Sequence, residues 1–237
     1  MALYGALFSV PIFAGSILHY TSQQVGLLLL PGALASAFTM PIAARLSRSM
    51  DARLMLAMGA LVLVTALFLL GGLSPLTSDD DLFVPLLVRA FGTVMMFLPL
   101  QLAAIGPIPR KDVAAATGFF NLTRQLGGSV GVALLSTMLE KREAFHRAVL
   151  VEKLNATSAL TLDRAAAYTQ LMLSKGFDLD TARAKALALL DGIVNVQSAV
   201  LSFGDTFRAT ALLVVLTLPL VLLLGRPPRG ATVSAGH

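Results

Sequence analysis

The sequence contains no cysteine and no tryptophan. Without cysteine there can be no disulfide, thiol nucleophile or cysteine-ligated metal, and with only three tyrosines the usual aromatic belt of a membrane protein is thin. Charge is also scarce, because 13% of the 237 residues are charged and 56% are hydrophobic. A soluble domain carries about 25% charged residues. The composition therefore indicates a membrane protein.

Acidic residues and histidines are missing from the long apolar stretches. All 13 Asp and Glu fall in predicted loops or at span edges, and the three His fall in loops or the tail. A proton carrier inside the membrane needs a group that gains and loses a proton, which arginine cannot do. An intramembrane serine protease needs a base beside its nucleophile. We therefore expect no enzyme, no metal site and no proton carrier in these spans.

Six apolar segments are long enough to cross a bilayer, which takes about 20 helical residues: 2–18, 25–44, 54–73, 82–106, 113–139 and 209–225. They lack the alternation of an outer-membrane barrel. The start, Met-Ala-Leu-Tyr, has no positive region, so residues 2–18 are predicted to be a span and not a signal peptide. The predicted fold is an all-α membrane protein with a bundle of six transmembrane helices.

Basic residues between the spans predict the orientation. Seven of them fall in loops on one side of the membrane, whereas the alternate loops 19–24 and 74–81 have none. Because Lys and Arg mark cytoplasmic loops, both termini are predicted to be cytoplasmic and nucleic-acid binding is not expected. The seven are Arg45, Arg48, Arg53, Arg110, Lys111, Arg226 and Arg229.

The long connection 140–205 is predicted to be extracytoplasmic and helical. It carries eight basic and eight acidic residues, and Thr181 to Phe203 has helical apolar spacing, with Asp178 or Asp180 as a cap. Four regions follow: helices one to five (1–139), amphipathic helices lying against the outer surface of the bundle (140–205), the last span (206–225) and a disordered cytoplasmic tail (226–237).

Polar residues inside the spans are the candidate site. Arg124 lies near the middle of span five, with Asn121 and Gln125 within one turn of it, and a lipid-facing arginine would cost about 2.5–3.5 kcal/mol or more. We therefore predict that Arg124 faces a cavity or a partner. Gln101 of span four is a second candidate contact, whereas Arg89 is expected to extend to the headgroups. The glycines predicted to allow close helix packing are Gly127, Gly128 and Gly131.

Four stretches of the chain resemble a known family. The run from Ala115 through Asn121, Arg124 and Gln125 to Gly131 is the most recognisable of them. The others are Leu3-Tyr4 to Pro31-Gly32, the loop Ala44 to Arg53, and the approach to the last span at Gln197 to Phe207. Together they resemble the C-terminal half of the fourteen-span drug:proton antiporters of the major facilitator superfamily, the multidrug efflux permeases of the EmrB/QacA type.

This resemblance implies one half of a proton-coupled multidrug efflux antiporter in the bacterial inner membrane, forming one wall of the central substrate cavity. The implied partners are the lipid bilayer, an N-terminal transporter half, a periplasmic adaptor protein and small hydrophobic or cationic drugs. The proton gradient drives transport, with the coupling acids expected outside this chain and no cofactor. Tyr4 joins the cavity candidates, and Arg45, Asp51 and Arg53 form the expected cytoplasmic gating loop.

In that loop the sequence departs from the family motif, since Ala44 replaces its first glycine and Arg48 its acid. The motif's gating ion pairs are therefore not carried over. The alternative reading is a six-span structural protein or permease subunit that transports no drug of its own.

Overall fold

A computed structural model describes residues 2–154 and 159–221, with side chains except those of 2–7, 79, 153, 159, 160, 220 and 221. All of the regular structure in these residues is helical. The α-helices are α1 (Ala2–Ser16), α2 (Ser22–Ser49), α3 (Ala52–Leu70), α4 (Asp79–Ile105), α5 (Val113–Lys153), α6 (Ala159–Ser174) and α7 (Leu179–Val221), with a single 3₁₀ turn at Arg110–Asp112. The predicted all-α fold is confirmed, while the predicted disordered tail and the basic Arg226 and Arg229 lie outside the described residues.

Polar side chains begin several of these helices by satisfying backbone N–H groups that have no partner within the helix. Thr21 and Gln24 form a reciprocal capping box at the start of α2. The Asp51 carboxylate accepts from the N–H of Arg53 at 3.1 Å to start α3, and Asp178 accepts from the N–H of Thr181 at 3.1 Å to start α7. The predicted cap at Asp178 is therefore confirmed.

Four helices within the described residues are long and apolar enough to span a membrane: Ser22–Ser49, Ala52–Leu70, Asp80–Ile105 and Leu179–Pro219. They correspond to the second, third, fourth and last predicted spans. The helix of the first predicted span, α1, has 15 residues. The fifth span lies in α5, which carries Asn121, Arg124 and Gln125 among its apolar residues.

Helices α5 and α7 continue without interruption through the predicted region boundaries at 139/140 and 205/206. They contain 41 and 43 residues, which at about 1.5 Å per residue gives roughly 60 and 65 Å. The hydrocarbon core of a bilayer is about 30 Å thick. Since residues 132–153 contain neither Gly nor Pro, nothing in that sequence ends α5 near Leu139. One continuous helix, α7, thus contains the predicted surface helix over Thr181–Phe203 and the last span as far as Val221, and α6 packs beside it.

The hydrophobic core lies where α1, α3, α4 and α7 meet. It includes Phe13, Leu63, Leu67, Leu86 and Phe207, all of which are essentially inaccessible to solvent. The rings of Phe13 and Phe203 pack edge to face, with their centroids 5.4 Å apart, a favourable geometry for aromatic pairs. This core leaves the first half of α5 at the edge of the bundle.

Two glycines let α3 and α4 approach at backbone distance. A Cβ placed on Gly59 would lie 2.6 Å from the backbone N of Met96, and one on Gly92 would lie 2.6 Å from the backbone N of Leu63. Since residue 59 lies against 96 and residue 63 against 92, the two helices run antiparallel. These glycines were not among the predicted packing glycines.

Candidate functional site

The polar residues of span five lie on an exposed face of α5. Asn121, Arg124 and Gln125 are all exposed in the described structure. The Arg124 guanidinium carbon lies 5.4 Å from the centroid of the Phe97 ring on α4. A cation over an aromatic ring contributes about 0.5–1 kcal/mol when exposed and about 2 kcal/mol when desolvated. No carboxylate of the described residues forms a salt bridge with Arg124.

Phe97 connects α4 to this polar face. Its ring also contacts Phe120 of α5, with the centroids 6.2 Å apart. Gln101 is half-buried and lies four residues after Phe97 on α4, so the two share one face of that helix. The structure therefore places Gln101 on the same side of α4 as the contact with α5. Tyr4 lies on α1, but its side chain is outside the described residues.

The three predicted packing glycines have different environments. Gly128 and Gly131 are buried, whereas a Cβ on Gly127 would have no atom within 4 Å. The buried pair is three residues apart and faces the bundle. Gly127 lies on the more open side of α5, next to the polar face.

The predicted cytoplasmic gating loop is almost entirely helical. Arg45 is exposed on α2, which continues to Ser49, and Asp51 caps α3, where Arg53 is in the first turn. Only Met50 and Asp51 separate the two helices. Asp51 thus has a structural role at a helix start, and the predicted gating role of this segment stays a prediction.

The structure contradicts the predicted environment of the Arg89 side chain. Its side chain was predicted to reach the headgroups, but Arg89 is only 8% exposed, and its Nε has no hydrogen-bond partner. A buried donor without a partner costs about 1–3 kcal/mol, and removing a cation from water costs several kcal/mol more. The sequence showed a charge ten residues into α4, but only tertiary packing decides that this charge is buried.

A cluster of ion pairs between α5 and α7 was not predicted from the sequence. The Asp205 carboxylate lies 3.0 Å from Arg142 Nε and 2.8 Å from His146 Nε2, both on α5. Arg208, one turn further along α7, lies 3.8 Å from the same carboxylate and donates to the carbonyl of Gly71 at 3.4 Å. Asp205 is 18% exposed, so this outer cluster joins α5 and α7 through a mostly buried carboxylate beside the end of α3.

A second polar contact lies further along the same two helices. Arg147 of α5 donates to Asp191 at 2.6 Å and to the Asn195 side chain at 2.7 Å. These groups are about half exposed, so the contact contributes about 0–1 kcal/mol. The i,i+4 spacing of Asp191 and Asn195 signals only the 3.1 Å hydrogen bond between those two side chains, whereas the contact with Arg147, 44 and 48 residues away, had no signal in the sequence.

Residues 1–132, from α1 into the middle of α5, match the family model of the Major Facilitator Superfamily. This match covers more than half of the 237 residues. The chain belongs to the Major Facilitator Superfamily. Members of this superfamily are transporters and not enzymes. The apolar helices of the chain make it a multi-pass membrane protein in contact with the lipid bilayer.

Named bacterial members of the superfamily are similar along almost the whole chain. The multidrug export protein EmrB of Escherichia coli is 25% identical over 100% of this chain and 44% of its own length. The fatty acid resistance protein FarB of Neisseria gonorrhoeae is 28% identical over 96% of this chain and 43% of its own length. The colistin resistance protein EmrB of Acinetobacter baumannii is 26% identical over 95% and 44%, respectively. The chain thus spans less than half the length of these relatives, and the resemblance to EmrB-type efflux permeases is confirmed.

Proposed function

We propose that residues 1–237 act as the C-terminal half of a proton-coupled multidrug efflux antiporter and form one wall of its central substrate cavity. The observation that carries this proposal is the exposed polar face of α5, with Arg124 next to Phe97. Within a membrane, an exposed arginine is stabilised by a wet cavity or a polar partner and not by lipid tails. Carriers of this superfamily bind substrate between two helical bundles, and the exposed face of α5 is suited to that interface.

The proposed substrates are small hydrophobic or cationic drugs, and the proposed partner is an N-terminal transporter half. Relatives whose names refer to multidrug export and to resistance against colistin and fatty acids support an export role. The share of each relative that the chain matches, 42–44% among the first six, supports the need for another half.

The proton gradient is the proposed energy source, with the coupling acids on the other half. In the described parts of α1, α2 and α3 there is no Asp or Glu, and the acids of α4 are limited to its first turn. Arginine keeps its proton, so Arg89 and Arg124 are unsuited to carrying one.

We further propose that the protein lies in the bacterial inner membrane with both termini in the cytoplasm. The short basic connections support this orientation. The outer cluster and α6 would then project on the extracytoplasmic side, where a periplasmic adaptor protein is the proposed partner. The length of α5 and α7 supports such a projection.

Drug accumulation in an efflux-deficient bacterium tests the proposal. Cells expressing residues 1–237 alone should accumulate ethidium like empty-vector cells, because one cavity wall is missing. Cells that also express an eight-span N-terminal half of an EmrB-type relative should extrude ethidium, and a protonophore should abolish that extrusion. Proton-dependent efflux by residues 1–237 alone would contradict the half-transporter role. A chain that reaches the membrane and binds the N-terminal half without restoring efflux would favour the structural alternative.

A further inference from the structure

Phe97 is the aromatic residue through which α4 contacts the polar face of α5. The centroid of its ring lies 5.4 Å from the Arg124 guanidinium carbon and 6.2 Å from the centroid of the Phe120 ring. Every aromatic and cation–π contact between α4 and α5 in the described residues involves this one ring. Phe97 is half-buried, whereas Arg124 is exposed, so the ring is the more firmly packed of the two groups.

The Arg124 side chain has no other partner among the described residues. Neither a salt bridge nor a side-chain hydrogen bond joins it to another of these residues. A long side chain without such bonds samples many rotamers, and fixing it costs conformational entropy. The contact with Phe97 is therefore the interaction that restricts where the charge of Arg124 lies.

The helix that carries Phe97 is fixed tightly in the bundle. A Cβ on Gly59 of α3 would lie 2.6 Å from the backbone N of Met96, the residue before Phe97, so α3 and α4 meet at backbone distance beside the ring. Side chains that position a functional group do so most precisely from rigid elements. The ring thus stands on a firmly packed helix and contacts a charge on the first half of α5, which lies at the edge of the bundle.

We propose that Phe97 is a positioning residue of the transporter, whose ring holds the Arg124 guanidinium against α4 and presents its charge to the substrate cavity. This inference rests on the proposed function and deepens it, because it assigns Phe97 a role that acts through Arg124. Gln101 lies one turn along the same face of α4, so holding Arg124 there also places the charge within about one helical turn of this amide.

Arginine NMR of the purified 237-residue chain in lipid nanodiscs tests the contact directly. With ¹⁵N-labelled arginine, the Nε–H signal of Arg124 is assigned by its loss in Arg124→Lys. Phe97→Leu should shift this signal, because the ring current is removed, and should make the side chain more mobile. Phe97→Tyr keeps the ring and should leave the signal close to its wild-type position.

Phe91→Leu is the matched control, since Phe91 lies on the same helix and its ring forms no aromatic or cation–π contact with α5 in the described structure. It should leave the Arg124 signal in place. Circular dichroism checks that each variant is folded. An Arg124 signal that stays unchanged in folded Phe97→Leu, or that moves equally in Phe91→Leu, would overturn the proposal.

Drug efflux by the chain together with an N-terminal half tests whether the held charge matters for transport. Phe97→Leu should raise the drug concentration for half-maximal efflux about 2- to 30-fold, the range expected for loss of one cation–π contact, and Phe97→Tyr should restore it. On the residual efflux of Arg124→Leu, adding Phe97→Leu should have no further effect, because the ring acts through the arginine. A full additional loss in that double variant would indicate a packing role and overturn the proposal. If the paired halves transport no drug, the proposed function fails, while the NMR result still decides whether Phe97 positions Arg124.

Discussion

The close contact between α3 and α4 makes Gly59→Ala the most informative stability test. The added methyl carbon would lie 2.6 Å from Met96 N and 2.7 Å from the Met95 carbonyl carbon, while ordinary contacts begin at 3.4 Å. Since the obstacle is helix backbone and not a flexible side chain, the two helices must move apart by roughly 0.8 Å. This separation disturbs the packing of buried Leu63 and Met95 on either side.

The expected loss combines two opposing effects. Overpacking of this kind costs about 1–3 kcal/mol, whereas replacing glycine by alanine inside a helix returns about 0.5–1 kcal/mol. We expect a net destabilisation of about 1–2 kcal/mol, which for a chain of this size lowers Tm by roughly 2–8 °C. Thermal unfolding in detergent micelles, followed by circular dichroism, measures this shift.

Gly127→Ala is the matched control on α5, because its new methyl group meets no atom within 4 Å. It should leave Tm unchanged or raise it slightly through the gain in helix propensity. If the Gly59→Ala variant unfolded at the same Tm as the wild type, the close contact between α3 and α4 would be refuted. An equal loss in Gly127→Ala would show that glycine content, and not close packing, sets the stability.

Three further predictions concern charged groups. Asp205→Asn should reduce the free energy of unfolding by about 2–4 kcal/mol, because it weakens hydrogen bonds to charged groups at a mostly buried carboxylate. Asp191→Asn changes an exposed pair and should reduce it by no more than about 1 kcal/mol. Equal losses in the two unfolding curves would contradict this ranking. The hydrogen bond from the Thr181 side chain, together with that from its backbone N–H, lowers the pKa of Asp178 below its usual value of 3.8. The cap is therefore stabilising above that pH and is lost as pH falls through the lower, folded-state value. The protection of amides at the start of α7, measured relative to their intrinsic exchange rate at each pH, should fall in acid, and Asp178→Asn should remove this pH dependence. In a complete transporter, Arg124→Leu should reduce drug efflux at least about tenfold while membrane levels stay normal, and unchanged efflux would limit Arg124 to a packing role.

Sequence patterns predicted the helical bundle because apolar runs of span length have few alternative structures in a membrane. Residue type and spacing sufficed for this prediction. The polar triplet around Arg124 was also visible in the sequence, but its predicted contact with a cavity or a partner stays a prediction. The cap at Asp178 belongs to the same class, because its hydrogen bond reaches only three residues along the chain.

Features made by two distant segments could not be read in this way. Gly59 and Gly92 are single glycines on different helices, and neither has a second small residue four positions away that would mark a packing motif. Likewise, the burial of Arg89 depends on how α2 and α3 cover α4. The outer cluster joins His146 to Asp205 across 59 positions, so only the folded chain reveals it.

The region boundaries predicted at 139/140 and 205/206 were set by where apolar composition stops, but a helix stops only where its backbone or a cap ends it. Charged residues after Leu139 are compatible with continued helix, since Glu, Lys and Arg are good helix formers. Composition therefore indicates where the surroundings of a helix change from lipid to water, whereas the helix itself continues across that boundary.

The length of α5 and α7 turns a small rotation into a large displacement. If about 30 Å of each helix extends beyond the bilayer, a tilt of about 10° moves its far end by roughly 5 Å, close to one helical turn. Asp205 ties the two rods together near the base of that extension, so they would swing as one unit. The periplasmic adaptor protein proposed above, if bound at the far ends of α5 and α7, would thus follow the conformation of the proposed substrate cavity without contacting it.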